Sequence, residues 1–208
     1  PWEHHLFHAS NAFYNSGFNE ALVIVIDAAG SRLSSKYQQT VECESVYHVS
    51  YPKTFRKLYK GYWSDGEFKD KDIKRTSGRC VYQIRDITSG WGNIGNLYNT
   101  AALAIGQTLQ DCGKAMGLSS YGKPVPWMDL LGFDMMTCIN KYFEDNSQFL
   151  SVLHGEIDNY HLDITRDNYQ KYADYCYEVQ KQCKDATIDL VREHVEATGI
   201  KKVCLSGG

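Results

Sequence analysis

With 208 residues, 43% of them hydrophobic and 23% charged, the chain is long enough to bury a core as one large domain or two small lobes. A net charge of −3 provides no basic field for nonspecific nucleic-acid binding, and no apolar run approaches the roughly 20 residues needed to cross a bilayer. The seven cysteines include no C-x-x-C pair, which argues against a disulfide framework or a structural zinc site and fits reduced thiols in a cytoplasmic protein.

Residues 3–15 (EHHLFHASNAFYN) lack Gly and Pro, and their apolar positions recur near helical spacing, predicting a short helix that ends by Ser16-Gly17. Glu20 to Asp27 is a continuous apolar run rich in β-branched residues, the pattern of a strand buried on both faces. Ala28-Ala29-Gly30-Ser31 then forms a tight turn of small residues, and 32–41 and 44–51 alternate loosely as antiparallel strands. The mixed charges of 61–79, with Asp65-Gly66, predict a solvated hairpin or loop.

A glycine-spaced stretch at 89–96 leads into a predicted helix over 97–112, followed by a glycine-punctuated loop at 113–124. Residues 127–147 suit one or two short helices and 148–165 a loop. The longest helix is expected over 167–198, ended by Gly199, with a last strand at 201–206 running into Gly207-Gly208. Strands and helices mixed in this way indicate α/β architecture. Because Gly-Gly after a strand usually opens a loop to another element, and the chain begins directly on a histidine cluster, a fragment or truncated product is expected.

His4 and His8 are four residues apart, so a helix places them on one face about 5–6 Å apart at Cβ, where two imidazoles can share a divalent ion. His5 lies about 100° around that helix and points elsewhere. Asp27 closes the buried strand, where a carboxylate can reach a ligand or metal. A solvated histidine cluster and a turn-forming aspartate account for the same residues equally simply. The small turn at 28–31 leaves room for backbone N–H groups to approach phosphate, though hairpins use such turns too. In 113–123, Lys114 and Lys123 offer positive charge between glycines, as would an ordinary exposed loop.

Taken in order, EHHLFHASNAFYNSGFNEALVIVIDAAG (3–30), IGNLYNTAALAIG (94–106), GKAMGLSSYGKP (113–124) and KKVCLSGG (201–208) resemble the O-carbamoyltransferases of nodulation-factor and antibiotic biosynthesis. The nucleotide domain of that family is similar to the threonylcarbamoyl-adenosine tRNA-modification protein. The resemblance implies an actin-like ATPase (ribonuclease H-like) fold of two lobes with ATP between them. Residues 1–208 would then be the central part of one carbamoyltransferase nucleotide-binding domain, lacking N-terminal strands and a C-terminal part.

The resemblance further implies a divalent metal, iron favoured, on His4, His8 and Asp27, with Asp27 also near the phosphates. Ala28, Ala29 and Gly30 would lie along the nucleotide, Gly207 and Gly208 at the adenosine, and Lys114 against a phosphate. The implied reaction makes carbamoyl-adenylate from carbamoyl phosphate and ATP and passes the carbamoyl group to a small hydroxylated acceptor, a sugar or nucleotide derivative. Where the family has Asp-Gly-x-Gly, often followed by an acidic residue, this chain reads Asp27-Ala28-Ala29-Gly30-Ser31, and a Cβ there crowds the phosphates. A noncatalytic nucleotide-binding or assembly subunit, or a chain completed by a second polypeptide, is the alternative expectation.

Overall fold

A computed structural model describes residues 3–31, 41–63, 93–108, 111–131, 135–144, 151 and 164–207. The chain divides into two compact units, one of Pro1–Gly95 with Ala186–Gly208 and one of Asn96–Asp185.

The first unit carries a mixed four-stranded α/β sheet. Helix α1 (His4–Ser16) stops at Gly17, whose φ of 73° supplies the left-handed residue that commonly ends a helix. Strand β1 (Glu20–Ile26) follows, then β2 (Val41–Ser50) and β3 (Thr54–Trp63), and at the chain's far end β4 (Val203–Ser206). The strand order is β3-β2-β1-β4. β1 pairs antiparallel with β2 and parallel with β4.

β1 is buried on both faces, as its unbroken apolar run predicts. Ala21, Val23 and Val25 pack under Ala9 and Phe13 of α1, together with Tyr47 and Val49. Leu22 and Ile24 face the other way, onto Val46, Tyr59 and Leu190. Period-two alternation therefore carries Asp27, the next odd residue, to the face that α1 covers.

Two sequence expectations change here, and a third falls largely outside the described residues. The strand expected over 44–51 begins at Val41, and 32–40 lie outside the described residues. β3 was not anticipated, because Arg56, Lys57 and Lys60 dilute its apolar pattern. It is the strand at the end of the sheet order, where charged side chains are tolerated. The hairpin expected over 61–79 lies outside the described residues from 64 onward.

The described elements of the second unit are helices: α2 (Ile94–Ala104, from Asn96), α3 (Cys112–Ser119), α4 (Met135–Tyr142) and the first part of α5 (Tyr169–Thr198). Among the described residues, the strands all belong to the first unit. The loop expected at 113–124 is helical over Cys112–Ser119: Gly113 and Gly117 have open space where a side chain would stand, while Ala115 and Ser119 are buried. That burial offsets a glycine penalty of about 1 kcal/mol each. The helix expected over 97–112 stops at Ala104 for a turn at Gly106, φ 68°.

Phe143 stacks on Tyr172 and meets Tyr175 edge-on at the core of this unit. A ladder of Asp174, Glu178 and Gln182 on α5 accepts the backbone N–H groups of Lys123, Val125 and Leu130 at 2.6–2.7 Å, fastening that segment to the helix. Most of 148–165 lies outside the described residues. No helix among the described residues is long and apolar enough to cross a membrane.

Candidate metal centre

α1 and the carboxyl end of β1 together build a cluster of three ligand-type side chains. His4 Nε2 lies 2.8 Å from Asp27 Oδ2 and 3.0 Å from His8 Nε2, and His8 Nε2 lies 3.5 Å from the same Asp27 oxygen. The i, i+4 spacing brings the rings together edge-on, with centroids 4.7 Å apart. Asp27 is buried at 8% exposure, whereas the His4 ring is half exposed, so the cluster opens to solvent from a fixed base.

A hydrogen-bond account of this cluster is incomplete. His4 Nε2 can carry one hydrogen, which cannot serve both the carboxylate and the facing imidazole nitrogen. Three lone-pair atoms aimed at one space fit a cation better than they fit each other. Their separations, 2.8, 3.0 and 3.5 Å, define a circle of radius about 1.8 Å, inside the bond lengths of about 2.0–2.2 Å usual for nitrogen and oxygen ligands of a divalent ion. One ion can therefore reach all three atoms and keep further positions open. The set of two imidazoles and one carboxylate suits iron, zinc or a similar ion.

His5 turns inward, as its angular offset predicts. It is fully buried, its Nδ1 2.7 Å from Ser45 Oγ and 4.0 Å from Glu42 Oε2. Burial holds its pKa down at about 4, with the Glu42 carboxylate only partly opposing, so the ring is neutral at pH 7. Glu42 is paired with Lys60, both almost wholly buried. Glu42 and Ser45 sit on either side of an irregularity in the β2–β3 register, which lets residues of opposite parity face α1 together.

The remaining expected residues are placed as follows. Ala28, Ala29 and Gly30 form the turn directly after Asp27, with Ala29 exposed. A Cβ on Gly30 would stand 2.5 Å from His5 Nε2 and 2.9 Å from Glu42 Oε2, so a side chain there would force both of these groups to shift. Gly207 follows β4 at the same end of the sheet with φ 139°, and a Cβ on it would stand 1.6 Å from the Ile26 carbonyl oxygen. Gly208 lies outside the described residues.

Lys114 belongs to the second unit, on α3, where its exposed ammonium is 3.0 Å from Asp111 and donates to Gln107. The sequence reading did not single out Gly95. A side chain there would overlap the Asp27–Ala28 peptide, at 2.3–2.5 Å, so Ile94-Gly95 closes the turn from the other side. Buried Glu44 accepts the Ile94 N–H at 3.1 Å, and burial raises its pKa to about 7. Gly95 lies in the 94–106 segment that carries the resemblance, but only its close approach to the Asp27–Ala28 peptide, and the Glu44–Ile94 hydrogen bond, tie these residues to the turn.

The architecture and the cluster define an α/β protein with a helix-and-strand His/His/Asp centre at the carboxyl end of a parallel strand pair. The chain belongs to the carbamoyltransferase N-terminus family, whose sequence model matches residues 2–208. It is similar to nodulation protein NolNO of Sinorhizobium fredii (strain NBRC 101917 / NGR234), at 24% identity over 99% of this chain and 25% of that protein. It is also similar to nodulation protein NolO of Bradyrhizobium diazoefficiens (strain JCM 10833 / BCRC 13528 / IAM 13628 / NBRC 14792 / USDA 110), again at 24% identity, over 99% of this chain and 30% of that protein. The chain thus spans between a quarter and a third of the length of these relatives.

Proposed function

We propose that the protein takes part in ATP- and metal-dependent O-carbamoyl transfer, from carbamoyl phosphate through carbamoyl-adenylate to a small hydroxylated acceptor, a sugar or nucleotide derivative, in the cytoplasm. One observation carries this reading: in a chain of the carbamoyltransferase family, His4, His8 and Asp27 aim their donor atoms at one point beyond the carboxyl end of β1, beside Gly207. In open α/β sheets, ligands bind in the crevice outside the carboxyl ends of the strands. The order β3-β2-β1-β4, an antiparallel meander followed through helices by a strand parallel to β1, supports an actin-like (ribonuclease H-like) lobe.

In this reading His4, His8 and Asp27 hold a divalent ion, iron favoured, which as a Lewis acid offsets charge developing on phosphate oxygens. The protein's own contribution is orientation. Asp27 is anchored where its backbone N–H donates to the Cys43 carbonyl at 2.8 Å, and α1 is fixed over the same strand by Ala9 and Phe13. Gly207 lets β4 pass against the Ile26 backbone, and its own backbone is proposed to lie along the adenosine. Lys114 is proposed as a phosphate contact.

A second reading, a nucleotide-binding or assembly subunit without turnover, is favoured by the turn Asp27-Ala28-Ala29-Gly30, in which Ala28 adds a Cβ where the family pattern has glycine. A second polypeptide would then supply the rest of the site.

Metal analysis of the purified protein, with ATP titration, tests the first reading. Stoichiometric iron or another divalent metal is expected in the wild type and none in His4→Ala/His8→Ala. Equal metal content in both proteins would sink the metal centre. Metal and ATP binding without carbamoyl transfer would select the second reading.

A further inference from the structure

Helix α1 begins without a local cap: the side chain of Glu3, its N-cap residue, makes no capping hydrogen bond, and its first turn holds no acidic residue. Its leading N–H group is nevertheless satisfied. The His4 backbone N–H donates to Ser31 Oγ at 2.8 Å, across 27 residues of sequence. Ser31 ends the short turn that starts at Asp27. The hydrogen bond therefore joins the element that carries both imidazoles to the element that carries the carboxylate.

Ser31 itself rests on a fixed base. Its N–H donates to Glu42 Oε2 at 3.1 Å, its carbonyl accepts the Glu42 N–H at 3.1 Å, and the Gly30 N–H donates to the Glu42 carbonyl at 2.7 Å. The Glu42 carboxylate is neutralised by Lys60, with both side chains under a tenth exposed. The His5 ring fills the space directly beneath Gly30. Adjacent residues of α1 thus engage the turn in two ways, His4 through its backbone and His5 through its ring.

We propose that Ser31 is a positioning residue: by capping α1 from the neighbouring turn, it sets the distance between the His4–His8 pair and Asp27. The proposal rests on the metal reading given above. The three donor atoms lie within 3.5 Å of one another, and a constellation of this kind tolerates displacements of only about 0.5 Å. Freeing the first turn of α1 moves His4 before it moves His8, because His4 is the helix's first residue. Partners that orient ligands typically contribute about 10- to 100-fold in metal affinity.

Co(II) titration followed by visible absorption tests this in the wild type and in Ser31→Ala, Ser31→Thr, Tyr14→Phe and His4→Ala/His8→Ala. Ser31→Ala is expected to weaken Co(II) about tenfold and change its absorption band, and Ser31→Thr, which keeps the hydroxyl, to stay within about threefold of wild type. Tyr14→Phe is the control for a merely looser helix. It removes the hydrogen bond from Tyr14 to the Pro52 carbonyl at the other end of α1 and should leave affinity and band unchanged.

Wild-type affinity and spectrum in Ser31→Ala would overturn the proposal while the metal centre stood. Wild-type protein that takes up no Co(II), or the same amount as the double histidine variant, would overturn the metal centre instead. The positioning role is then decided by amide hydrogen exchange at His4 to Phe7: acceleration in Ser31→Ala, reversed in Ser31→Thr, supports it, and unchanged exchange overturns it.

Discussion

β1 carries a histidine–carboxylate contact at each end, and the two ends are built differently. At the amino end, His48 Nε2 lies 2.7 Å from Glu20 Oε1; at the carboxyl end, His4 Nε2 lies 2.8 Å from Asp27 Oδ2. The distances are nearly the same, so distance alone does not separate a candidate metal centre from a surface histidine–carboxylate contact. Convergence and burial do. Asp27 has an 11% exposed side chain and meets a second imidazole, whereas the Glu20 side chain is 57% exposed. The carboxyl end also has a built foundation of Glu42, Lys60, His5, Gly30 and Gly207.

The most damaging way to break that contrast is Gly207→Ala. Its Cβ would overlap the Ile26 carbonyl, and alanine tolerates φ 139° poorly. Overpacking and backbone strain together predict a loss of about 4 kcal/mol in urea unfolding. Metal uptake should fall as well, since Ile26 immediately precedes Asp27. A variant as stable as the wild type would show that β4 and β1 do not approach this closely.

Glu44→Gln sharpens the contrast with a smaller effect. Glu44 pairs with Ile26 in the β1–β2 register, at the carboxyl end, and burial raises its pKa from 4.5 to about 7. Between pH 4.5 and 7 the unfolded chain ionises while the folded one stays protonated. Stability from this group is therefore fully present below pH 4.5 and lost as pH rises toward 7. Glutamine keeps an oxygen for the Ile94 N–H and cannot ionise. Relative to wild type, the variant should gain about 3 kcal/mol between pH 4 and pH 8. His5 acts oppositely: its pKa is depressed from 6.5 to about 4, so its contribution is present above pH 6.5 and lost as pH falls toward 4. The wild type should thus be nearly flat over this window, and Glu44→Gln should unmask a stability that rises with pH. Parallel curves for the two proteins would refute the buried acid's role.

Much of the carboxyl end was legible in the sequence because it follows from periodicity. Four-residue spacing joins His4 to His8 on one helix face, and period two places Asp27 on the face with Ala21, Val23 and Val25, under α1. The foundation was not legible. Glu42 and Ser45 face the same helix only through a register shift, which no alternation pattern announces. Gly113 and Gly117 suggested a loop because glycine lowers helix propensity, yet buried Ala115 and Ser119 decide the helix. β3 was hidden by the lysines of a strand at the end of the sheet. Lys60, which disguises the strand, is also the cation that makes Glu42 tolerable in the interior.

The smallest expected effect tests the amino end of the strand. His48 Nε2 touches Glu20 Oε1 and, at 3.4 Å, Ser50 Oγ, so one ring nitrogen meets one carboxylate oxygen and a hydroxyl. A neutral hydroxyl is a weak ligand, and no second imidazole stands there among the described residues within the ligand-type clusters. The contact is a solvent-screened histidine–carboxylate hydrogen bond of the kind worth about 0.5–1 kcal/mol. His48→Ala should change urea stability by about 0.5 kcal/mol and leave Co(II) affinity as in the wild type. Because His48–Glu20 and His4–Asp27 have almost equal separations, this variant isolates what the third donor and the buried base add. If His48→Ala lowered metal uptake as His4→Ala/His8→Ala should, proximity alone would be enough to bind, and the distinction between the two ends of β1 would fail.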